Sequence, residues 1–258
     1  MRTSDASNGM WCRSRAGRDS IATSDTRPAQ RSWRAMTGPA SSLLAPLLPA
    51  YVGVAEAEPA HESIGLLDAA ELRVVEDAIP SRQREFAVGR QLAHRLMAEL
   101  GHARESLLPH PDRSPRWPEG VVGSITHCAT RVAVAVGRSA DVRGLGIDVE
   151  PCVPLPADLD PLILNAEEAR RREAGNDEER RLRSRWVFSA KEATYKAMYP
   201  LTRRVLEFAH LEVFWSPDGF TSELRCAAPP FPKGALFSGR SSTAGGYITH
   251  AVVIGHDH

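Results

Sequence analysis

Two short stretches of the sequence combine carboxylates with a lysine at regular spacing. Residues 146–150 read Gly-Ile-Asp-Val-Glu and follow apolar segments typical of strands. Because side chains alternate along a strand, Asp148 and Glu150 are expected to share one face. Residues 186–196 have a helical pattern in which Glu192 and Lys196 lie four residues apart. Side chains at this spacing project from neighbouring turns of one helix face.

Three carboxylates and an ammonium group could therefore converge at one place. Carboxylate oxygens with open coordination positions suit Mg²⁺, which is usually bound by one or two carboxylates, waters and substrate phosphates. Each motif also has an ordinary interpretation. An Asp-x-Glu at a strand end is commonly a solvated rim, and a Glu–Lys pair at this spacing is commonly a surface ion pair. The residues by themselves leave both interpretations open.

Apolar periodicity predicts the helices that would position these groups. One stripe recurs at helical spacing in residues 185–199, and Pro200 is expected to end that helix. The stripe consists of Trp186, Val187, Ala190, Ala193, Thr194 and Ala197. A second long helix is predicted over residues 82–100 with Ser81 as its N-cap, and it carries Arg82, Arg84 and Arg90. A shorter helix is predicted over residues 66–75.

Strand patterns fill most of the remaining chain. The pattern predicts a first strand with its approach at 43–54, a strand at 121–126 ending at His127, a hairpin of 132–137 with 145–150, and strands at 207–215, 221–226, 234–239 and 246–254. Helix and strands are thus followed by helix and strands again. This order predicts an α+β fold of two similar lobes with pseudo-twofold symmetry, each a helix packed on a small, mainly antiparallel sheet.

The chain is predicted to have three parts: a disordered basic tail at 1–35, an N-terminal lobe at 36–145 and a C-terminal lobe at 146–258. The tail is rich in Ser and Arg and lacks apolar periodicity. An organelle transit peptide, a basic arm for a polyanion and an upstream extension of the reading frame all fit this composition. We favour the extension, with the working start at Met36, because that residue leads directly into the first apolar segment.

Composition narrows the class of protein. The 258 residues are 42% hydrophobic and 25% charged with a formal net charge of zero, so global charge gives no case for a nucleic-acid partner. No apolar run approaches the length of a membrane span. The cysteines are widely spaced and form no Cys-x-x-Cys pair. They predict free thiols in a reducing, cytoplasmic compartment. The balanced charge and the short apolar runs predict no nucleic-acid or membrane partner.

The order of these segments resembles the 4'-phosphopantetheinyl transferases of the surfactin- and enterobactin-synthetase type. That family is marked by Gly-Ile-Asp-x-Glu and, a few dozen residues on, by Trp/Phe-x-x-Lys-Glu-Ala-x-x-Lys. Residues 146–150 and 188–196 match both motifs. Residues 123–128 resemble the family's segment ending in Ser/Thr-His, and Arg82 and Arg90 resemble its basic coenzyme A-binding positions. The resemblance covers residues 80–208, roughly half the chain.

The resemblance implies an enzyme that transfers the 4'-phosphopantetheine arm of coenzyme A to a serine of an acyl or peptidyl carrier protein and releases 3',5'-ADP. Asp148, Glu150 and Glu192 would be the Mg²⁺ ligands. Glu192, or a metal-bound water that it orients, would be the general base, and Lys196 would act on the phosphates. Lys191 precedes Glu192 and lies about 100 degrees away from it round the helix, so it is expected to be solvated.

Coenzyme A binding is assigned by the same resemblance. The implied contacts are Arg82, Arg90, Arg113, Thr126, His127, Asp148 and Lys196. The sequence departs from the family where Ser114 precedes Pro115, since Lys or Arg is common there, and Arg113 or Arg116 would supply the charge. Thr126 also stands where Ser is common, and Phe188 where many members have Trp.

The partners follow from the same implied reaction. Carrier proteins of fatty acid, polyketide or nonribosomal peptide biosynthesis are acidic around the modified serine, so a basic and apolar rim is expected. Residues 199–206, with Arg203 and Arg204, fit that description. We expect a monomer, because one chain holds both lobes. Two other functions stay open: a metal-dependent hydrolase of coenzyme A or another nucleotide diphosphate, and a non-catalytic coenzyme A- or carrier-binding protein.

Overall fold

The computed structural model of the protein describes residues 42–59, 61–173, 176–216 and 219–256. All of these belong to a single contact unit, residues 34–258. The basic tail expected at residues 1–35 and the start expected at Met36 lie outside the described residues.

The helices and strands follow one another in the expected alternation. The helices are α1 (Ala69–Val75), α2 (Pro80–Glu99), α3 (Asp160–Ile163), α4 (Ala166–Arg172) and α5 (Asp177–Thr202). The strands are β1 (Gly53–Ala57), β2 (Val121–Cys128), β3 (Arg131–Arg138), β4 (Gly144–Pro151), β5 (Leu211–Ser216), β6 (Gly219–Leu224), β7 (Leu236–Ala244) and β8 (Tyr247–Ile254). None of the helices in the described ranges is long and apolar enough to cross a membrane.

The strands form two antiparallel sheets, each covered by one long helix. The order of the first sheet is β1-β3-β2, and α2 packs on it through a core that includes Leu92, Leu96 and Val134. The order of the second is β4-β8-β7-β6-β5, and α5 packs on it through Ala190 and Ala193. This confirms the α+β fold of two lobes, each with a helix on a small antiparallel sheet.

A third apolar core joins the two lobes. Ala133 and Ala135 of β3 pack with Leu145 and Ile147 of β4, and Leu44 from the chain before β1 completes the contact. All of these side chains are buried. The lobes therefore share a continuous interior, which holds β2 beside β4.

The predicted hairpin of residues 132–137 with 145–150 is wrong. β3 pairs with β1 and β2, whereas β4 pairs with β8, so the two strands lie in different sheets. The physical reason lies in their connection. Val142 is buried in the core between the lobes and anchors the chain as it passes from one sheet to the other.

Several predicted boundaries also shift, and proline explains most of them. The first strand starts only at Gly53, because Pro46 and Pro49 precede it and residues 45–47 form a 3-10 helix. Pro80 begins α2 instead of preceding it, at a position where its missing N–H costs no helical hydrogen bond.

Helix α5 is longer than predicted at both ends. It begins after Asn176, whose side chain forms a capping box with Glu179. Pro200 lies in its last turn and does not end it. The helix ends when Arg203 adopts a left-handed conformation, φ 49°, and donates its N–H to the Tyr199 carbonyl at 2.8 Å. Pro200 lacks the N–H that would bond to the Lys196 carbonyl, so α5 loses one backbone hydrogen bond there and still continues to Thr202.

The backbone of α5 lies directly against β4 at two glycines. A Cβ atom on Gly146 would be 1.9 Å from the Ala193 carbonyl oxygen, and one on Gly144 would be 2.4 Å from the Ala197 carbonyl oxygen. No side chain fits between the strand and the helix here. The glycine of the Gly-Ile-Asp-Val-Glu stretch therefore sets the distance between the two elements that carry the carboxylates.

Replacing Gly146 by Ala should destabilise the fold strongly. The added methyl group meets backbone atoms that cannot rotate away, so the loss should reach or exceed the ~1–3 kcal/mol typical of overpacked cores. Gly65→Ala is the matched control, because a Cβ there meets no atom within 4 Å, and it should change stability by less than about 0.5 kcal/mol. Urea unfolding followed by circular dichroism measures both. A Gly146→Ala midpoint equal to that of the wild type would contradict the close packing.

Candidate active site

Asp148 lies at the centre of the carboxylate cluster and is bound from two sides. It is 3% exposed. Its Oδ1 accepts hydrogen bonds from Thr126 Oγ1 at 2.9 Å and from Lys196 Nζ at 2.7 Å, and its Oδ2 accepts one from Ser189 Oγ at 2.7 Å. The donors come from β2 and α5, so this carboxylate is held where the two lobes meet.

Glu150 lies on the same face of β4, as the strand alternation predicted. Its Oε2 accepts a hydrogen bond from Arg185 Nη1 at 2.5 Å, and Arg185 is held in turn by the Val153 carbonyl at 2.7 Å. Burial and then the charge of Asp148 raise the pKa of Glu150 to about 7, against the opposing effect of Arg185. This carboxyl group is therefore costly to ionise in the protein alone.

Of the three carboxyl groups in the cluster, Glu192 has the fewest partners. It is 8% exposed and forms no side-chain hydrogen bond or ion pair with any described residue. Burial raises its pKa to about 8. The Lys196 ammonium opposes this shift, while Asp148 and Glu150 reinforce it. Burial lowers the pKa of Lys196, but Asp148 and Glu192 outweigh that effect and raise it, so the ammonium stays charged.

His127 extends the cluster toward α2. Burial, followed by the charges of Arg82 and Lys196, lowers its pKa to about 3, so the imidazole is neutral near pH 7. Its Nε2 lies 2.5 Å from Arg82 Nη1 and its Nδ1 lies 3.2 Å from Glu85 Oε2. Because a guanidinium only donates, Nε2 accepts from Arg82 and Nδ1–H donates to Glu85. Arg82 and His127 are thus placed together beside Lys196.

The structure does not bring Arg90 and Arg113 to this cluster. Arg90 is 5% exposed and its guanidinium lies over the Phe86 ring, 4.1 Å from the ring centre. Burial lowers its pKa to about 10. Arg113 is exposed, has φ 70°, and forms no ion pair with a described residue. Spacing along a helix could not show that Arg90 turns inward.

The loop that carries Arg113 is fastened to the end of α5. Asp112 Oδ2 accepts a hydrogen bond from Tyr199 Oη at 2.6 Å, and Oδ1 accepts from the Ser114 backbone N–H at 2.9 Å. Burial raises the pKa of Asp112, but the hydrogen bonds from Ser114 and Tyr199 outweigh it and lower the pKa to about 2. The sequence analysis missed this contact, because the partners are 87 residues apart.

Lys191 is buried, and the expectation of a solvated lysine is wrong. It is 1% exposed. Its Nζ donates to Glu168 Oε2 at 2.6 Å, to the Ile163 carbonyl at 2.8 Å and to the Phe208 carbonyl at 2.9 Å. The residue does point away from Glu192, but α3, α4 and the chain before β5 cover that side of α5. Lys191 therefore joins α5 to three other segments.

Lys191→Met should cost about 3–5 kcal/mol of unfolding free energy, because it leaves the Glu168 carboxylate buried without its cation. Arg170→Ala is the matched control. It breaks an exposed ion pair with Glu167 on the same helix as Glu168, and pairs of that kind contribute about 0–1 kcal/mol. Urea unfolding compares the two. Equal effects would contradict the role of Lys191 as a buried connection.

The stability of the metal-free protein should change with pH because of the Glu192 carboxyl group. Its ordinary pKa is 4.5 and its folded pKa is about 8, so the folded state holds the proton more tightly than the unfolded chain. Linkage then makes this contribution to stability fall as the pH rises from about 4.5 to about 8. In Glu192→Gln the melting temperature should fall less over this window. Thermal unfolding with a chelator measures both proteins, and equal slopes would contradict the raised pKa.

Two further residues of the cluster were not predicted. Ser189 lies one turn before Glu192 on α5, a spacing that could have drawn attention to it. His250 of β8 lies behind Ser189, with its Nδ1 2.9 Å from Ser189 Oγ. No feature of the sequence marks His250, because its place depends on the pairing of β4 with β8.

Comparison with known proteins identifies the family of two successive regions of the chain. Residues 70–137 match a family model described as the 4'-phosphopantetheinyl transferase N-terminal domain, and residues 144–240 match the 4'-phosphopantetheinyl transferase superfamily. The two matched regions adjoin where the chain passes from β3 to β4.

Individual relatives extend over most of the chain. It is 35% identical to 4'-phosphopantetheinyl transferase Svp of Streptomyces mobaraensis, over 82% of this chain and 89% of that protein. It is also 35% identical to 4'-phosphopantetheinyl transferase PptT of Mycobacterium tuberculosis, over 83% and 98%. Enterobactin synthase component D of Salmonella typhimurium is 33% identical over 45% of this chain and 48% of its own length. The resemblance inferred from the two motifs is confirmed: the chain belongs to the 4'-phosphopantetheinyl transferase family.

Proposed function

We propose that the chain transfers the 4'-phosphopantetheine arm of coenzyme A to a serine of an acyl or peptidyl carrier protein, and that the reaction takes place at the cluster around Asp148. One observation supports placing the reaction at this cluster. Asp148, Glu150, Glu192 and Lys196 come together at the contact of α5 with β4, although the two motifs are about forty residues apart in the chain.

The chemistry of these groups fits Mg²⁺ held by Asp148, Glu150 and Glu192. Among the residues that the structure describes, no group of three or more His, Cys, Asp or Glu side chains forms a ready-made metal site. Mg²⁺ seldom requires one, because it usually takes one or two carboxylates and completes its shell with waters and substrate phosphates. Burial and mutual repulsion raise the pKa of both glutamates, a cost that a cation would offset. When bound, Mg²⁺ would neutralise charge developing on the pyrophosphate.

Glu192 is the proposed general base. Burial raises the pKa of Glu192 to about 8 in the metal-free protein, and a bound cation would lower it toward the range in which a carboxylate accepts a proton at neutral pH. Its carboxyl group is not engaged by a described donor, so it is available to a serine hydroxyl or to a water that it orients. By contrast, Asp148 already accepts three hydrogen bonds and keeps one acceptor site on Oδ2 for a cation, which favours Asp148 as an anchor and Glu192 as the group that moves the proton.

Lys196 and Arg82 are proposed to hold the phosphates. Lys196 is charged, half-buried and directed at Asp148 by an ion pair of 2.7 Å. His127 accepts a hydrogen bond from Arg82 and lies beside Lys196, so the three form a line from the metal end toward α2, with the two cations as its phosphate donors. Thr126 supports this line by donating to Asp148, and it is buried. Its proposed contact to coenzyme A is therefore indirect.

Each lobe is proposed to bind a different part of the substrates. The N-terminal lobe, residues 36–145, would bind the nucleotide through Arg82 and the loop with Arg113, and the C-terminal lobe, residues 146–258, would supply the metal end and the carrier contact. The contact of Asp112 with Tyr199 supports this division, since it holds the Arg113 loop across the seam. The burial of Arg90 supports a structural role for that residue on α2.

A transfer assay tests the proposal. An apo carrier protein incubated with coenzyme A, Mg²⁺ and the enzyme should gain the mass of one phosphopantetheine arm. Asp148→Ala and Glu192→Ala should abolish the gain, and each residue is expected to contribute at least 10²-fold to the rate. Glu167→Ala, an exposed carboxylate on α4, is the control and should behave as the wild type.

The same assay separates transfer from hydrolysis. Without carrier, a hydrolase would still release 3',5'-ADP from coenzyme A, whereas a transferase should release none. Full activity in Asp148→Ala would remove the basis for the metal assignment.

The rim formed by residues 199–206 is proposed to contact the carrier protein. Arg203 lies at the end of α5 with most of its side chain in solvent, and Val205 is 67% exposed. Arg204 donates to the Ala227 carbonyl. A cationic and apolar surface of this kind complements an acidic helix around a modified serine.

Charge reversal at this rim should weaken carrier binding. Arg203→Glu combined with Arg204→Glu should raise the KM for the carrier about tenfold or more with little change in kcat, because rim charges act mainly on association. Arg73→Glu, at an exposed position of α1 in the N-terminal lobe, is the control. An unchanged KM in the double variant would place the carrier elsewhere.

Cellular context is proposed from the cysteines and the site. Cys128, Cys152 and Cys226 are free, and free thiols are typical of a reducing compartment, so we propose a cytoplasmic enzyme. Both lobes belong to one chain, so one molecule could assemble the whole site, and we propose a monomer. Carriers of fatty acid, polyketide and nonribosomal peptide biosynthesis all match the proposed acceptor.

A further inference from the structure

The carboxylate of Asp148 has a second layer of support on the side opposite Lys196. Ser189 Oγ lies 2.7 Å from Asp148 Oδ2, and His250 Nδ1 lies 2.9 Å from the same Ser189 oxygen. All three residues are buried, and His250 has no exposed surface. A continuous chain of hydrogen bonds thus leads from the interior of the C-terminal lobe to the centre of the cluster.

Strand register explains why these residues meet. Asp148 of β4 and His250 of β8 are directly opposite one another in the antiparallel pair, so both side chains point to the face covered by α5. Ser189 lies on the face of α5 that carries Glu192 and Lys196, one and two turns further on. The hydroxyl therefore stands between the histidine and the carboxylate.

The direction of each hydrogen bond follows from the chemistry of the three groups. A carboxylate oxygen accepts, so Ser189 must donate its single hydrogen to Asp148. The same hydroxyl then has only lone pairs to offer His250, which requires a hydrogen on Nδ1. Burial lowers the pKa of His250 to about 3, so the imidazole is neutral. The histidine is therefore the Nδ1–H tautomer.

Packing alone does not account for a histidine at this position. Trp186, Trp215 and Phe220 surround the imidazole, with ring centres 5.2–5.9 Å from its own. Its Nε2 is buried and has no hydrogen-bond partner in the described residues. A buried nitrogen without a partner is costly, and an apolar side chain would avoid that cost. The contribution that an apolar side chain could not make here is the Nδ1–H donated to Ser189.

We propose that His250 and Ser189 are positioning residues, which lock the Asp148 carboxylate in the orientation needed to hold a divalent cation. Ser189 and Thr126 hold its two oxygens from opposite sides, so that the carboxylate cannot rotate about its Cβ–Cγ bond. His250 keeps the Ser189 hydroxyl from turning to another acceptor. The proposal rests on the assignment of Asp148 as a metal ligand in the proposed function.

Cation binding provides a test that does not depend on turnover. Binding of Mn²⁺ to the full chain with saturating coenzyme A, and without carrier, can be followed by electron paramagnetic resonance. Ser189→Ala and His250→Leu should each weaken Mn²⁺ binding about 10- to 100-fold, the range observed when groups that support metal ligands are removed. Their urea midpoints show whether each variant is folded.

Two conservative variants separate positioning from packing. The amide nitrogen of Asn can take the place of Nδ1, whereas that of Gln extends toward the place of Nε2. His250→Asn should therefore retain most of the Mn²⁺ affinity and His250→Gln should not. If His250→Leu fails to fold, this pair and Ser189→Ala still decide the outcome. Equal Mn²⁺ affinity in the wild type, Ser189→Ala and His250→Gln would overturn the proposal.

The control Asp148→Ala distinguishes this proposal from the metal assignment on which it rests. If Asp148→Ala loses Mn²⁺ and Ser189→Ala does not, the positioning role is wrong and the metal assignment stands. If Asp148→Ala binds Mn²⁺ as the wild type does, the metal assignment itself is wrong. The tautomer can be read independently from the imidazole ¹⁵N spectrum. A proton on Nδ1 of His250 supports the hydrogen-bond chain, and a proton on Nε2 alone overturns it.

Discussion

The close contact of α5 with β4 is the constraint on which the rest of the structure depends. Gly144 and Gly146 leave no side chain between the helix backbone and the strand, so the carbonyl groups of Ala193 and Ala197 rest on β4 itself. At this distance the short side chain of Asp148 reaches Lys196 and Ser189 directly. A wider spacing would leave water between them and weaken every interaction in the cluster.

The helix is held in this position from its other side as well. The Lys191 ammonium forms a buried ion pair with Glu168 of α4 and donates hydrogen bonds to carbonyl groups of α3 and of the chain before β5. It thereby connects α5 to all three segments. Adjacent residues of one motif therefore have separate tasks. Glu192 faces the cluster around Asp148, and Lys191 faces the interior. The Lys-Glu pair of the motif combines an anchor for the helix with a carboxyl group whose ionisation is made difficult by burial.

In this phosphopantetheinyl transferase the polar groups of the Asp148 cluster lie where the lobes meet. Thr126 and His127 come from β2 of one lobe, and Asp148 from β4 of the other, while the apolar core around Ile147 lies on the opposite face of β4. Strand alternation thus places the packed apolar side chains of β4 on one face and its carboxylates on the other. Because the apolar face is rigidly packed, the carboxylates opposite it have a fixed backbone, a condition for holding a cation at a defined place.

The sequence by itself determined the family, the α+β class and the sharing of faces by Asp148 with Glu150 and by Glu192 with Lys196, since strand and helix periodicity are local properties. Tertiary structure alone decided which strands pair, that Arg90 and Lys191 turn inward, and that His250 stands behind Ser189. These features depend on contacts between residues distant in the chain. Burial then sets the pKa values of the glutamates, and no local pattern reports how much water a folded neighbour excludes.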